Sequence, residues 1–256
     1  MSSSSQPFYE SEKAISEYLL FHYGSSQEQC PHPEGPSEAL HYPERCVSQC
    51  LQKELLGDHP RALDLGCAVG RSTFELARHC HEVVGIDYSH GFIEHANKLR
   101  IEGSLPYRFA VEGNLTQDAV AKVPDEIDRD RVRFLQGDAM HLHEDLGVFD
   151  VVLMANLIDR LDDPAACLSQ LSGLLKSGGQ LIITSPYTWL EAYTPSTHWL
   201  GGLQRDGEDV QTLDGLHHHL NPAFQWTQTL ELPFLIREHA RKYQWSVAQG
   251  SCWVRR

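Results

Sequence analysis

The 256-residue chain has no apolar run long enough to cross a bilayer, which takes about 20 consecutive residues. Its start, Met1 to Pro7, has neither the basic nor the apolar part of a secretory signal. Basic residues are scarce: 21 Lys and Arg stand against 35 Asp and Glu, a formal net charge of −14. Nucleic-acid binding relies on Lys and Arg to neutralise phosphates, so this balance argues against RNA or DNA as a partner. No C-x-x-C or H-E-x-x-H occurs. The run His217-His218-His219, with His198, is therefore not read as a zinc site, because adjacent helical residues point to different faces. No metal is expected. Seven cysteines are odd in number and scattered, which suits a reducing cytoplasm rather than a disulfide framework. Cys46 and Cys50 read as buried thiols. No internal repeat is visible, and the length fits one α/β domain with additions.

The chain is organised around residues 62–77, ALDLGCAVGRSTFELA. Ala62 to Leu65 reads as the end of a buried parallel strand. Gly66 to Gly70 is a turn of small residues, and Ser72 to Ala77 has helical periodicity. A strand feeding a helix through a glycine turn gathers backbone N–H groups and a helix N-terminus at one spot, which suits a nucleotide-like ligand. The dinucleotide fingerprint G-x-G-x-x-G is absent; the pattern is D-x-G-x-A-x-G, with Arg71 where a third glycine would be sought. Asp64, just before the turn, fits badly beside a pyrophosphate but suits a ligand with a cationic amino acid portion. A second strand, Val83 to Asp87, ends in an acid at the spacing expected for one that binds ribose hydroxyls. Together the two segments resemble the class I S-adenosylmethionine-dependent methyltransferases.

Met1 to Phe8 reads as a disordered tail and residues 9–256 as a single domain. Helices are expected over Glu10 to Tyr23 and Tyr42 to Leu56, forming a lid over residues 9–57, with a loop over Ser25 to Pro36 between them. Strands follow at Arg61 to Leu65, Glu82 to Asp87, Val132 to Gln136, Phe149 to Met154 and Gln180 to Thr184. Helices are expected at Gly91 to Glu102, with Ser89 as N-cap, and at Pro164 to Leu175. This alternation argues for a parallel sheet with right-handed crossovers. Tyr107 to Val111 alternates like a strand, and the polar stretch after it reads as an insertion. Residues 187–222 form a long segment at the C-terminal end of a strand, where α/β sheets bind ligands, and are read as a substrate cap. Phe224 to Leu230 and Trp245 to Val254 read as the last two strands.

Five segments resemble a narrower group: EYLLFHYG (Glu17 to Gly24), ALDLGCAVGRSTFELA, VVGIDYSHGFI, LIITSPYTWLEAYTP (Leu181 to Pro195) and PFLIREHARKYQWSV (Pro233 to Val247). They are similar to the methyltransferase of ovothiol biosynthesis, which N-methylates the imidazole of 5-thiohistidine. The resemblance implies a Rossmann-like, seven-stranded, mostly parallel sheet with an antiparallel last strand, and S-adenosylmethionine as cofactor. In that family the domain is often fused to an iron-dependent sulfoxide synthase. No H-x-x-x-H-x-E of such a half occurs here, so a separate synthase is a candidate partner.

By position in such a fold, Asp64, Gly66, Cys67, Ala68 and Gly70 are expected on the methionine side of the cofactor. Asp87 is expected at the ribose, Tyr88 stacked on adenine, and Asp138 with Ala139 at the adenine amino group. Asn156 is expected where the methyl is delivered. Tyr23 and Arg45 are candidates for the cofactor carboxylate. The substrate is a zwitterion: Arg237 or Arg241 would bind its carboxylate and Glu191 or Glu238 its ammonium. Tyr187, Trp189 and Tyr193 would form aromatic walls. The expected chemistry is in-line attack by a neutral ring nitrogen, with His239 or Tyr187 as base. A methyltransferase for another small amine or carboxylic acid, and a non-catalytic cofactor-binding partner of a synthase, are the alternatives.

Overall fold

A computed structural model describes residues 9–256; the expectation for Met1 to Phe8 lies outside them. Helices α1 (Glu12–Tyr23), α2 (Ser26–Gln29) and α3 (Tyr42–Ser48) precede the sheet. The alternating part runs β1 (Arg61–Leu65), α4 (Arg71–Leu76), β2 (Glu82–Asp87) and α5 (His90–Glu102). A hairpin follows, β3 (Ser104–Glu112) and β4 (Leu115–Lys122), and then β5 (Val132–Gln136). Next come β6 (Phe149–Ala155), α6 (Pro164–Leu174) and β7 (Leu175–Ser185). The long segment contains β8 (Leu203–Arg205), β9 (Glu208–Val210) and α7 (Thr212–Leu220). The chain closes on β10 (Phe224–His239) and β11 (Lys242–Arg255).

Seven strands form one sheet in the order β10-β11-β7-β6-β1-β2-β5. The pairs among β1, β2, β5, β6 and β7 are parallel, whereas β11 is antiparallel to both β7 and β10. This is the expected Rossmann-like sheet with a reversed last strand. Its strands alternate sides: Ala62 and Val83 pack into the core beneath α1, α3, α4 and α5, and Leu63 and Val84 into the core beneath α6 and α7. Strands buried on both faces explain why the sequence reads there as continuous apolar runs.

Four expectations change. The stretch Ser25 to Pro36 is not all loop: Ser25 caps the short helix α2 in a reciprocal bond with Glu28. The helix from Tyr42 ends at Ser48, not Leu56. Gln180 holds the chain at Gln52 in extended form, accepting from its N–H at 2.9 Å and donating to its carbonyl at 2.8 Å. The polar stretch after Val111 is a strand: β4 pairs with β3 in a two-stranded sheet outside the main one. Tyr107, Phe109, Ala119 and Ala121 turn its apolar face into the core. The last two strands are longer than their alternation suggests. Glu231 is level with Gln249 and Ser185 at the end of β7. Residues 232–247 therefore project past the sheet as a two-stranded arm on the ligand edge, where charged residues hid the strand pattern.

Candidate active site

The main cavity, about 400 Å³, opens beyond the C-terminal ends of β1, β2, β5 and β6. Small-molecule sites of roughly 300–1,000 Å³ are typical, and this edge is where open α/β sheets bind ligands. Gly66 and Ala68, both with positive φ (74° and 48°), form its floor. A side chain on Gly66 would come within 3.0 Å of Leu157. Gly70 (φ 87°) opens α4, and a Cβ there would meet the Phe134 ring at 2.4 Å. Glycine is therefore required by both dihedral and space.

Asp87 lines the cavity from the tip of β2. Its Oδ2 accepts from the Ala68 N–H at 2.8 Å and its Oδ1 from the Ser89 N–H at 2.9 Å. Each oxygen keeps a lone pair for a further donor. Burial pushes the carboxyl up to about 6, against the pull of those N–H groups. Asp138 lines the cavity from the tip of β5, its Oδ1 accepting from the Met140 N–H at 2.8 Å. Tyr88, Ala139 and Asn156 line it too. Asn156 has φ 52°, and its Oδ1 accepts from the Tyr42 hydroxyl at 2.8 Å. That hydroxyl also meets Thr184 Oγ1 at 2.7 Å, linking α3 to the tips of β6 and β7.

Asp64 does not line the cavity. It is fully buried, Oδ2 accepting from the Ser72 and Thr73 hydroxyls at 2.7 Å each. Its Oδ1 has no partner among the described residues, and burial pushes this carboxyl up to about 6. Ser72, which does line the cavity, stands between. Cys67 is buried in the turn, and burial raises its thiol well above the usual range. Tyr23 donates to the Val69 carbonyl at 2.8 Å, buttressing the turn from behind. Arg45 is spent on the Leu40 and Pro233 carbonyls, tying α3 to the arm.

Of the residues expected around the substrate, Tyr193 lines this cavity. The others are placed elsewhere by their packing. Arg237 turns away, its guanidinium 5.0 Å from the Phe109 ring and Nη1 donating to the Glu28 carbonyl at 2.6 Å. Glu238 pairs with Lys242 at 2.8 Å, and Arg241 is exposed at the arm's tip. His239 stands beside it, its Nδ1 accepting from the Arg241 N–H at 3.3 Å. Glu191 accepts from the Ser196 hydroxyl at 2.7 Å. Trp189 stacks on Trp199 and donates to Thr212 Oγ1 at 2.9 Å. Tyr187, whose phenol burial pushes upward, donates to Gln249 at 3.0 Å. Tyr187 and Trp189 line a second, open pocket beside β8 and β9.

The structure adds residues that sequence reasoning did not assign to the site. Tyr18 and His22 lie one turn apart on α1, a spacing that puts both on one face. Tyr9, Phe92 and Arg160 complete the wall. Arg160 sits four residues past Asn156 at the same strand tip, so the ligand-edge rule would have reached it. Among the described residues no group of three or more His, Cys, Asp or Glu side chains is placed to hold a metal ion, and no helix is long and apolar enough to cross a membrane.

Residues 63–183 match the family model described as a methyltransferase domain. Over those residues, just under half of its length, the chain carries a methyltransferase domain. It is similar to the demethylmenaquinone methyltransferase of Lactiplantibacillus plantarum, 27% identical over 199 residues that cover 77% of this chain and 63% of the relative. It is 24% identical over 161 residues to a ubiquinone biosynthesis O-methyltransferase of Xylella fastidiosa, covering 63% of this chain and 56% of the relative. The chain thus spans less than two thirds of the length of these curated relatives. Among solved structures, magnesium protoporphyrin IX methyltransferase from Synechocystis, with bound S-adenosylhomocysteine, shares the fold over 98% of both chains (TM-score 0.60, 15% identity). The N-methyltransferase NodS of Bradyrhizobium japonicum shares it over 94% of this chain and 98% of its own (TM-score 0.54, 14% identity). The cofactor of the domain is S-adenosylmethionine, and the cavity fits it. A side chain at Gly66 would crowd Leu157 at the cavity floor, and Asp87 offers a half-buried carboxylate with free lone pairs.

Proposed function

We propose that this methyltransferase domain N-methylates the imidazole ring of 5-thiohistidine, the last step of ovothiol A formation. The observation that carries the reading is the make-up of the cavity. It is small for a site that holds a cofactor and an acceptor together, and it combines one guanidinium, Arg160, with the phenols of Tyr9, Tyr18 and Tyr193. The rim carboxylates Glu10 and Asp162 add sites for an ammonium group. These groups match a zwitterionic aromatic amino acid, and the SPYTWLE and PFLIREHARKYQW segments resemble the family with that substrate.

S-adenosylmethionine supplies an electrophilic methyl group on a sulfonium. In this reading Asp87 accepts from the ribose hydroxyls, and Asp138, with Ala139, borders the adenine. Gly66, Ala68 and Ser72 border the methionine end. Asp64 acts behind Ser72 and Thr73, fixing their hydroxyls. Asn156, held by Tyr42, orients the acceptor. Alignment in a site walled from water carries the rate. His22, the cavity's imidazole, is held neutral down to about 3 by burial and by Arg71, so it is a poor proton acceptor. Burial pushes the Tyr18 phenol up to about 12. His239 is not adjacent to the cavity. A separate iron-dependent sulfoxide synthase is the proposed source of the substrate.

One observation favours a second reading. The curated relatives act in quinone biosynthesis by name, and the rings of Tyr9, Tyr18 and Phe92 would suit a flat phenol as well as an imidazole. A panel of 5-thiohistidine, histidine and a hydroxylated aromatic ring with labelled cofactor separates the two. Transfer to the thiol compound supports the proposal. Transfer to histidine but not the thiol, or to the phenol alone, sinks it. Tight cofactor binding with no turnover on any would favour a non-catalytic partner of the synthase.

A further inference from the structure

Arg160 is the one Lys or Arg among the described residues that line the main cavity. Half of its guanidinium is already committed. Nη1 donates to the Asp159 carbonyl at 2.8 Å and to the Thr188 carbonyl at 3.0 Å, and lies 3.1 Å from Asp159 Oδ2. Asp159 is itself fixed, Oδ2 accepting from the Thr188 N–H at 2.9 Å. The flat face of the guanidinium rests on the Tyr193 ring, 4.7 Å from its centroid. The other edge, Nε and Nη2, makes none of the hydrogen bonds of the described residues. Those two N–H groups are parallel and spaced to fit both oxygens of a carboxylate.

The structural role of Arg160, stapling the turn after β6 to the segment that leaves β7, uses Nη1 alone. A staple does not need the opposite edge bare. The edge is also pre-organised: two backbone carbonyls and a carboxylate at Nη1, with a ring at the guanidinium, hold the group, so little freedom is lost when it binds. Its position suits the acceptor. Arg160 stands on the turn Ile158–Arg160, just past Asn156, and shares its wall with Tyr9 and Tyr193, which lie 6.5 Å apart centroid to centroid. Asp87 and Asp138 occupy other strand tips.

We infer that the free Nε–Nη2 edge of Arg160 binds the carboxylate of the methyl acceptor, so that the domain selects aromatic amino acids over the corresponding decarboxylated amines. The inference rests on the reading of this cavity as the acceptor site, but not on the thiol. It replaces Arg237 and Arg241, which the fold directs elsewhere, as receptor for that group. Tyr193 acts as a positioning residue by setting the guanidinium plane.

The test compares an acceptor with its decarboxylated amine in the wild type and in Arg160→Met and Arg160→Lys. Cofactor affinity is followed by calorimetry with S-adenosylhomocysteine. The Met variant should raise KM for the free amino acid about 10- to 100-fold, the worth of a charge-assisted hydrogen-bond pair. It should leave KM for the amine and the affinity for S-adenosylhomocysteine almost unchanged. The Lys variant should recover part of the loss, because a point charge lacks the fork. Equal losses for acid and amine would overturn the inference. So would a drop in cofactor affinity, which would assign the edge to the methionine carboxylate instead. Should the Met variant fail to fold, the wild type decides: no preference for the acid over the amine removes the inference. Failure of 5-thiohistidine as an acceptor refutes the substrate reading alone, and the acid and amine of whichever acceptor turns over then test Arg160.

Discussion

The two ends of the cavity are built differently. At the end formed by β1, β2 and β5, acids and glycines are held by backbone. Asp87 grips the N–H groups of Ala68 and Ser89, Asp138 grips that of Met140, and Gly66 keeps the floor flat. At the other end, side chains from α1, the turn after β6 and the segment after β7 meet across long sequence separations. There several side chains expected at the acceptor from the 187–222 segment and the arm are held by other partners: Trp189 by Thr212, Glu191 by Ser196, Arg237 by Glu28. A site for an invariant nucleoside can be fixed by local turns. A site for a variable acceptor is assembled from whatever the additions to the sheet leave free, here Arg160, Tyr193 and the tyrosines of the N-terminal segment.

Substitutions can break or sharpen that contrast. Trp189→Ala removes a buried ring that stacks on Trp199, and should cost about 3–5 kcal/mol of stability in a thermal or denaturant melt. If Trp189 instead forms an acceptor wall, KM for the acceptor would rise with little loss of stability. Asp87→Asn should weaken S-adenosylhomocysteine binding about 100-fold by calorimetry, because a charged acceptor of buried hydrogen bonds is lost. An unchanged affinity would place the nucleoside elsewhere.

Gly70→Ala should destabilise the fold by about 2–4 kcal/mol, combining a left-handed residue with a clash against Phe134. A melt of the purified variant reads this directly. The pH dependence is the next smaller effect. Asp87 titrates near 6 because of burial, and in the proposed reading the ionised form is the one that accepts from ribose. Cofactor affinity should therefore be level above that pH and fall about tenfold per unit below it, and Asp87→Asn should flatten the profile. The sign for stability is the reverse. Asp64 and Asp87 both have raised carboxyls, so folding without ligand is penalised at neutral pH. The penalty is relieved as the pH falls through about 6 towards the unfolded value near 4. Smallest of all, His239→Gln should change kcat/KM and stability by no more than about 0.5 kcal/mol, as for a surface position. A large fall in kcat would return His239 to the chemistry.

Some of this was legible in the chain and some was not, for identifiable reasons. The turn Gly66 to Gly70 and the strand-end acids Asp87 and Asp138 are local signals, each readable within a few residues of a strand. The arm was not, because Arg237, Glu238, His239 and Arg241 interrupt the alternation although the backbone pairs almost throughout. Arg237 looked like an acceptor-binding cation, but the β3–β4 hairpin brings Phe109 beneath it and the α2 end brings the Glu28 carbonyl to it. Neither neighbour is near it in sequence.

The sequence alone determined where the parallel strands fall along the chain, the turn of small residues at the end of β1 and the acids at the tips of β2 and β5, because each depends on residues adjacent in the chain. Only the tertiary structure decided which charged and aromatic side chains face the cavity. Arg160, Tyr193 and Tyr18 reach it from three separate elements, while Arg237 and Trp189 are turned away by contacts from distant ones. Burial of a side chain is a property of all its neighbours at once, and those neighbours exist only when the sheet has closed.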